Sequence, residues 1–89
     1  MKAVITVIGK DRIGIIAKIS GVLAEHKVNI LDISQTIMQE MFTMMMLVDI
    51  SSAVLPFAAL SEKLDEAGKE LGLQVKIQHE DIFDSMHRI

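Results

Sequence analysis

The residues of this chain most able to do chemistry stand together early on, in Gly9-Lys10-Asp11-Arg12-Ile13-Gly14. Glycines let a backbone approach a ligand closely, and a helix starting just after them would present unpaired amides to a carboxylate or phosphate. Arg12 could add a bidentate contact to the same anion. The spacing fits a Gly-flanked turn with a solvated arginine equally well. It carries neither the lysine-bearing P-loop pattern nor the dinucleotide fingerprint, so nucleotide binding is not supported. Asn29 offers amide donors and acceptors to an amino or carboxyl group, although asparagine ahead of a strand is also ordinary turn chemistry. Near the C-terminus His79, Glu80, Asp81, Asp84 and His87 form a cluster of divalent-metal ligand types. Asp84 and His87 would be neighbours on a helix. No recognised ligand spacing is present, and a capped, charged tail helix accounts for the same residues, so neither a metal nor another cofactor is expected. His26, at a helix end, reads as a surface residue.

The elements that must position these residues belong to one small domain. The chain has 89 residues, of which 51% are hydrophobic and 24% charged. That balance excludes disorder and low-complexity architectures. A chain of this size buries only roughly 60–65% of its unfolded surface, so association with another chain is expected to add to its stability. It has no cysteine, which removes disulfides, thiolate metal sites and cysteine nucleophiles at once. A net charge of −3 and an aromatic content of 3%, all phenylalanine, give no field and few stacking platforms for nucleic acid or anionic lipid. The opening apolar run, Val4 to Ile8, is too short to span a membrane and lacks a signal-peptide cleavage site. A cytoplasmic protein is expected.

Periodicity predicts the order βαββαβ. The first strand, Lys2 to Ile8, is apolar on both alternating sets, and the stretch Gly9 to Gly14 reads as a strand-to-helix loop. Ile13, Ile16, Ala17, Ser20, Leu23 and Ala24 fall on one stripe of a helix ending near His26-Lys27, with Asp11 placed to cap its start. A second strand, Ile30 to Met38, wets the face carrying Asp32, Ser34 and Thr36. A turn at Gln39-Glu40 leads to a third strand with Phe42, Met44, Met46, Val48 and Ile50 on one side and Met41, Met45 and Leu47 on the other. Pro56 suits the first turn of a second helix, whose stripe is Phe57, Leu60, Leu64, Ala67 and Leu71 and whose stop is Gly72. Leu73, Val75 and Ile77 then alternate with polar residues in a half-buried strand. Ile82, Phe83, Met86 and Ile89 return to helical spacing, giving a domain over residues 1–79 and a helical tail over 80–89.

A split βαβ topology places the first and third strands centrally, in agreement with their two-sided apolarity. The fold class is therefore α+β: a ferredoxin-like βαββαβ sandwich with a four-stranded antiparallel sheet, two helices on one face and a short C-terminal helix. Five of the seven methionines lie between Met38 and Met46, where they fill core or form an adaptable surface. Helices cover one face only, so the other is expected to meet a second subunit.

The run Gly9 to Ile15, the following helix, Val28-Asn29-Ile30 and the βαββαβ order together resemble an ACT domain over residues 1–79. Asn29 to Gln35 and the ending Ile82 to Ile89 are similar to small stand-alone bacterial and archaeal ACT proteins, a group related to the ACT domains of the glycine cleavage system repressor. The resemblance implies a regulatory module, not an enzyme, that binds an amino acid or other small ligand where two subunits of a homodimer meet. It also implies a ligand site made by the loop after the first strand and the start of the second, carrying over Gly9, Asp11, Arg12, Ile13, Gly14 and Asn29. Ile13 stands where many members have proline. The competing reading is an acylphosphatase-like hydrolase of acyl phosphates using Arg12 and Asn29. Acylphosphatases resemble the same sandwich, but their loop ends in glycine–phenylalanine–arginine, whereas Gly14 here precedes Ile15-Ile16. RNA binding would need basic and aromatic sheet positions that this chain lacks.

Overall fold

The computed structural model describes residues 1–81. Six elements follow one another: β1 (Lys2–Lys10), α1 (Ile15–Glu25), β2 (Asn29–Met38), β3 (Met41–Asp49), α2 (Phe57–Leu71) and β4 (Leu73–His79). The sheet is antiparallel, in the order β2-β3-β1-β4. The ferredoxin-like βαββαβ architecture is thus as the sequence predicts, with the two-sided apolar strands β1 and β3 at its centre. The proposed tail helix lies almost wholly outside the described residues. No helix among the described residues is long and apolar enough to cross a membrane.

One face of the sheet carries the core. Ala3, Ile5 and Val7 of β1 and Phe42, Met44, Met46 and Val48 of β3 are buried beneath Ile15, Ile19 and Leu23 of α1 and Leu60, Leu64 and Ala67 of α2. Burial of each large side chain contributes roughly 1.5–3 kcal/mol. The hairpin turns at Gln39-Glu40, with Gln39 at φ +57°. Pro56 is the residue flanking α2 rather than the first of its turn, and Gly72 stops the helix at φ +69°. On the opposite sheet face Ile8 and Met45 remain exposed.

Three expectations need correction. The strand β1 continues through Gly9 and Lys10, which pair with Phe42 and Met41; the strand-to-helix loop is only residues 11–14. The buried stripe of α1 is Ile15, Ile19 and Leu23, sharing only Leu23 with the stripe read from sequence. Ile13 is 99% exposed and Ile16 41%. Both stripes are apolar, so periodicity alone could not choose between them; the helix phase is set by where Gly14 lets it begin. Finally, β2 is an edge strand exposed on both faces, with Ile33 at 41% and Ile37 at 52% on the helix side.

Candidate functional site

The loop linking β1 to α1 is held at three points. The Asp11 amide donates to the Glu40 carbonyl at 2.9 Å, fastening the loop to the β2–β3 turn. Arg12 Nη1 donates to the Leu71 carbonyl at 3.1 Å, at the last residue of α2. A guanidinium suits a helix C-terminus, where unpaired carbonyls concentrate negative potential. Gly14 sits in the left-handed region at φ +95°, ψ +1° and opens α1, its carbonyl accepting the Lys18 amide at 2.9 Å.

Asp11 does not cap that helix. Gly14 is the capping residue, no side chain bonds the first-turn amides, and the first turn has no acidic residue. Among the described residues the N-terminus of α1 therefore presents first-turn donors and a positive dipole end without a side-chain cap or a first-turn acidic residue. A Cβ on Gly14 would meet nothing within 4 Å, so the glycine is required by its backbone conformation and not by crowding. Gly9 is the reverse case. A Cβ there would collide with the Leu73 side chain and come within 3.2 Å of Leu73 Cα; this glycine is required by the close packing of β1 against β4.

The six residues singled out from sequence do not form one cluster within a chain. Asp11, Arg12, Ile13 and Gly14 are consecutive at the end of the sheet where Lys10 pairs with Met41, which pairs with Met38. Asn29 is exposed and pairs with Asp49, the partner of Lys2, at the opposite end. A nine-residue strand separates the two ends, about 26 Å at the usual rise. Arg12 and Asn29 of one chain therefore cannot hold one phosphate between them, so a single chain does not assemble the pair that acyl-phosphate hydrolysis would use.

At the Asn29 end, Asp49 accepts from the Ser51 amide at 2.9 Å and lies 3.6 Å from the N-terminal ammonium. Bonding from the Ser51 hydroxyl and amide, with a smaller contribution from that ammonium, holds its carboxyl below the usual carboxylate range. His79 stacks on Phe57 with ring centroids 4.2 Å apart. No group of three metal-ligating side chains exists among the described residues; Asp84 and His87 of the sequence cluster lie outside them. A charged groove of about 170 Å³ runs between the helices, lined by Lys18, Glu25, His26, Lys63, Glu66 and Glu70 among others. It does not involve the loop.

The contacts that sequence reasoning missed are the two carbonyls that fix the loop, Glu40 and Leu71. Carbonyls of turns and helix ends leave no mark in residue type.

The sequence model of the ACT domain matches residues 2–78. A UPF0237 protein of Clostridium acetobutylicum is 63% identical over 89 residues, covering both chains completely. Among solved structures, an ACT domain protein from Streptococcus pneumoniae superposes with a TM-score of 0.82 at 45% identity, covering 98% of each chain. A candidate glycine cleavage system transcriptional repressor shares the fold at a TM-score of 0.73 and 24% identity, covering 86% of this chain and 44% of its own.

Proposed function

The chain belongs to the ACT domain family, whose members are small-molecule-binding regulatory modules rather than catalysts, and from that premise we infer that it works as an amino-acid-binding homodimer whose two sites each draw on both chains. The observation that carries this reading is the separation of the loop from Asn29. Among the described residues no strand pairs with the outer edge of β2, which is last in the sheet. A second copy pairing there antiparallel, about a two-fold axis normal to the sheet, would bring the hairpin end of one β2 to the Asn29 end of the other. The loop of one chain, tied to that hairpin through Asp11 and Glu40, would then lie near Asn29 of its partner.

Two further features favour the edge. Ile33 and Ile37 project from the helix side of β2 with large exposed areas, and Ile16 of α1 is exposed as well. Exposed apolar side chains on an unpaired strand are a ready template for association. A stable pair should bury at least about 1,000 Å² in total.

In such a site the amino acid's carboxylate meets the first-turn amides of α1, for which the helix dipole is favourable. Asn29 of the other chain hydrogen-bonds the polar remainder. Arg12 has donors to spare beyond the one bonded to Leu71.

Complementation tests the reading. Gly14→Val strains the loop and Asn29→Ala deletes the amide, so each homodimer should bind the best amino acid from a thermal-shift screen at least about fivefold more weakly, as loss of about 1–3 kcal/mol implies. A mixed dimer of the two variants should recover one intact site in two, read by titration calorimetry as half the wild-type stoichiometry. Recovery of neither site would exclude sharing between chains. Ile33→Lys should convert the dimer to monomer in sedimentation with the fold retained. A wild-type chain that sediments only as monomer at micromolar concentration would sink the arrangement outright.

A further inference from the structure

The sheet face turned away from the helices is a separate surface from the β2 edge, and no helix or strand of the described residues packs on it. Directly paired residues share a face, so Val4, Ile8, Met41, Met45 and Leu47 lie there with Thr6 and Thr43 among them, a mainly apolar centre. Lys76 on β4 and Asp32 on β2 stand on its two flanks. A groove of about 250 Å³ opens over Val4, Asp32, Ser34, Met45 and Leu47.

We propose that this groove is the docking site of the chain's own C-terminal segment, residues 82–89. Its starting point is favourable. The register pairs His79 with Ala3, so the chain leaves β4 beside Val4 and Leu47, at the grooved end of the face. Its length is also right. Four strands span about 14 Å from first to last, and residues 80–89 wound as a helix cover about 15 Å.

Its apolar residues are spaced for one side: Ile82, Phe83, Met86 and Ile89 would share a single stripe if the segment is wound as a helix. Its charges run in the matching order. Laid across the face from β4 toward β2, the segment would bring Glu80, Asp81 and Asp84 first, on the side of Lys76 and Lys2, and His87 and Arg88 last, toward Asp32. Such complementarity fixes direction more than it adds affinity.

The absence of cysteine makes the test clean, since Ser85→Cys in the full chain takes a single nitroxide label. Amide signals of Ser34, Met45 and Leu47 should lose intensity in the paramagnetic state, while those of Ile19 and Leu64 keep it. The loss should persist when labelled chains are diluted into an excess of isotopically silent, unlabelled ones. It should vanish when Phe83→Ser and Met86→Ser are introduced together. Uniform loss, loss confined to the helix side, or loss that survives the double substitution overturns the proposal. So does loss that disappears on dilution, which would assign the face to a second copy.

Discussion

Helices α1 and α2 lie side by side on one sheet, but only α2 is polar on the side it turns away. Glu62, Lys63, Asp65, Glu66 and Lys69 cover that side, and Lys69 pairs with Asp65 at 3.2 Å one turn away. The corresponding surface of α1 is Ile16, Ala17, Ser20, Gly21 and Ala24, with Lys18 drawn off to Glu70 of α2 at 2.5 Å. A helix apolar on one stripe is complete once it has covered a sheet. A helix apolar on two stripes, bordering an unpaired strand, is suited to a neighbour on each. Small residues on the second stripe would let another helix approach closely. The difference between the helices therefore separates the surface that folds this chain from an apolar one left available to a partner.

The largest effects should come from their inner faces, where the two are alike. Ile19 is fully buried and Leu64 nearly so. Ile19→Ala and Leu64→Ala should each lower the unfolding free energy by about 2–5 kcal/mol in urea titrations, from lost transfer energy plus the cavity left behind. Were Ile19→Ala to cost under ~1 kcal/mol, α1 would not be anchored by the stripe described above.

The glycines within the helices distinguish them more sharply. A Cβ on Gly68 of α2 would come 2.7 Å from Val75 Cγ2 and 3.0 Å from the Leu73 carbonyl, whereas one on Gly21 of α1 meets nothing within 4 Å. Alanine is favoured over glycine in a helix by about 1 kcal/mol. Gly21→Ala should gain that amount. Gly68→Ala should instead lose about 1–3 kcal/mol, because the backbone carbonyl cannot yield and overpacking exceeds the propensity gain. Equal responses in thermal melts would mean that α2 can shift on β4, against the close packing described.

The sequence made much of this legible. Strands apolar on both sides belong at the centre of a sheet, and β1 and β3 are there. The three-and-four spacing of α2 and the stop at Gly72 are local properties, readable without knowing what they pack on. The phase of α1 was not, because both its stripes are apolar and only the left-handed turn at Gly14 decides which one meets the sheet. The candidate site was legible as a loop but not as a place. Gly14 announces the turn, yet the anchors of that loop are carbonyls of Glu40 and Leu71, the second 59 residues from Arg12. That Asn29 stands a full strand length from Gly14 follows from sheet register, which no residue type encodes by itself.

The smallest effect concerns how the two helices end. Both stop with a residue in the left-handed region: Gly72 at φ +69° after α2, and Lys27 at φ +63° after α1. After α1 the Val28 amide returns to the Leu23 carbonyl at 2.9 Å and the Lys27 amide to the Ala24 carbonyl at 3.2 Å. That is the Schellman arrangement, with Val28 and Leu23 both in the core. Glycine enters this conformation freely, while a residue with a Cβ incurs a cost of roughly 1–2 kcal/mol. Glycine also loses more backbone entropy on folding, by roughly 0.5–1 kcal/mol, which offsets part of the relief. Lys27→Gly should therefore stabilise the chain by about 0.5–1 kcal/mol, and Gly72→Ala should destabilise it by a similar or slightly larger amount. Urea midpoints at constant slope are the measurement. Because the Lys27 turn aims the chain into Asn29, ligand binding by Lys27→Gly should match wild type if the turn geometry is set by Val28 and Leu23. A stabilised variant with weakened binding would instead show that the lysine side chain belongs to the site.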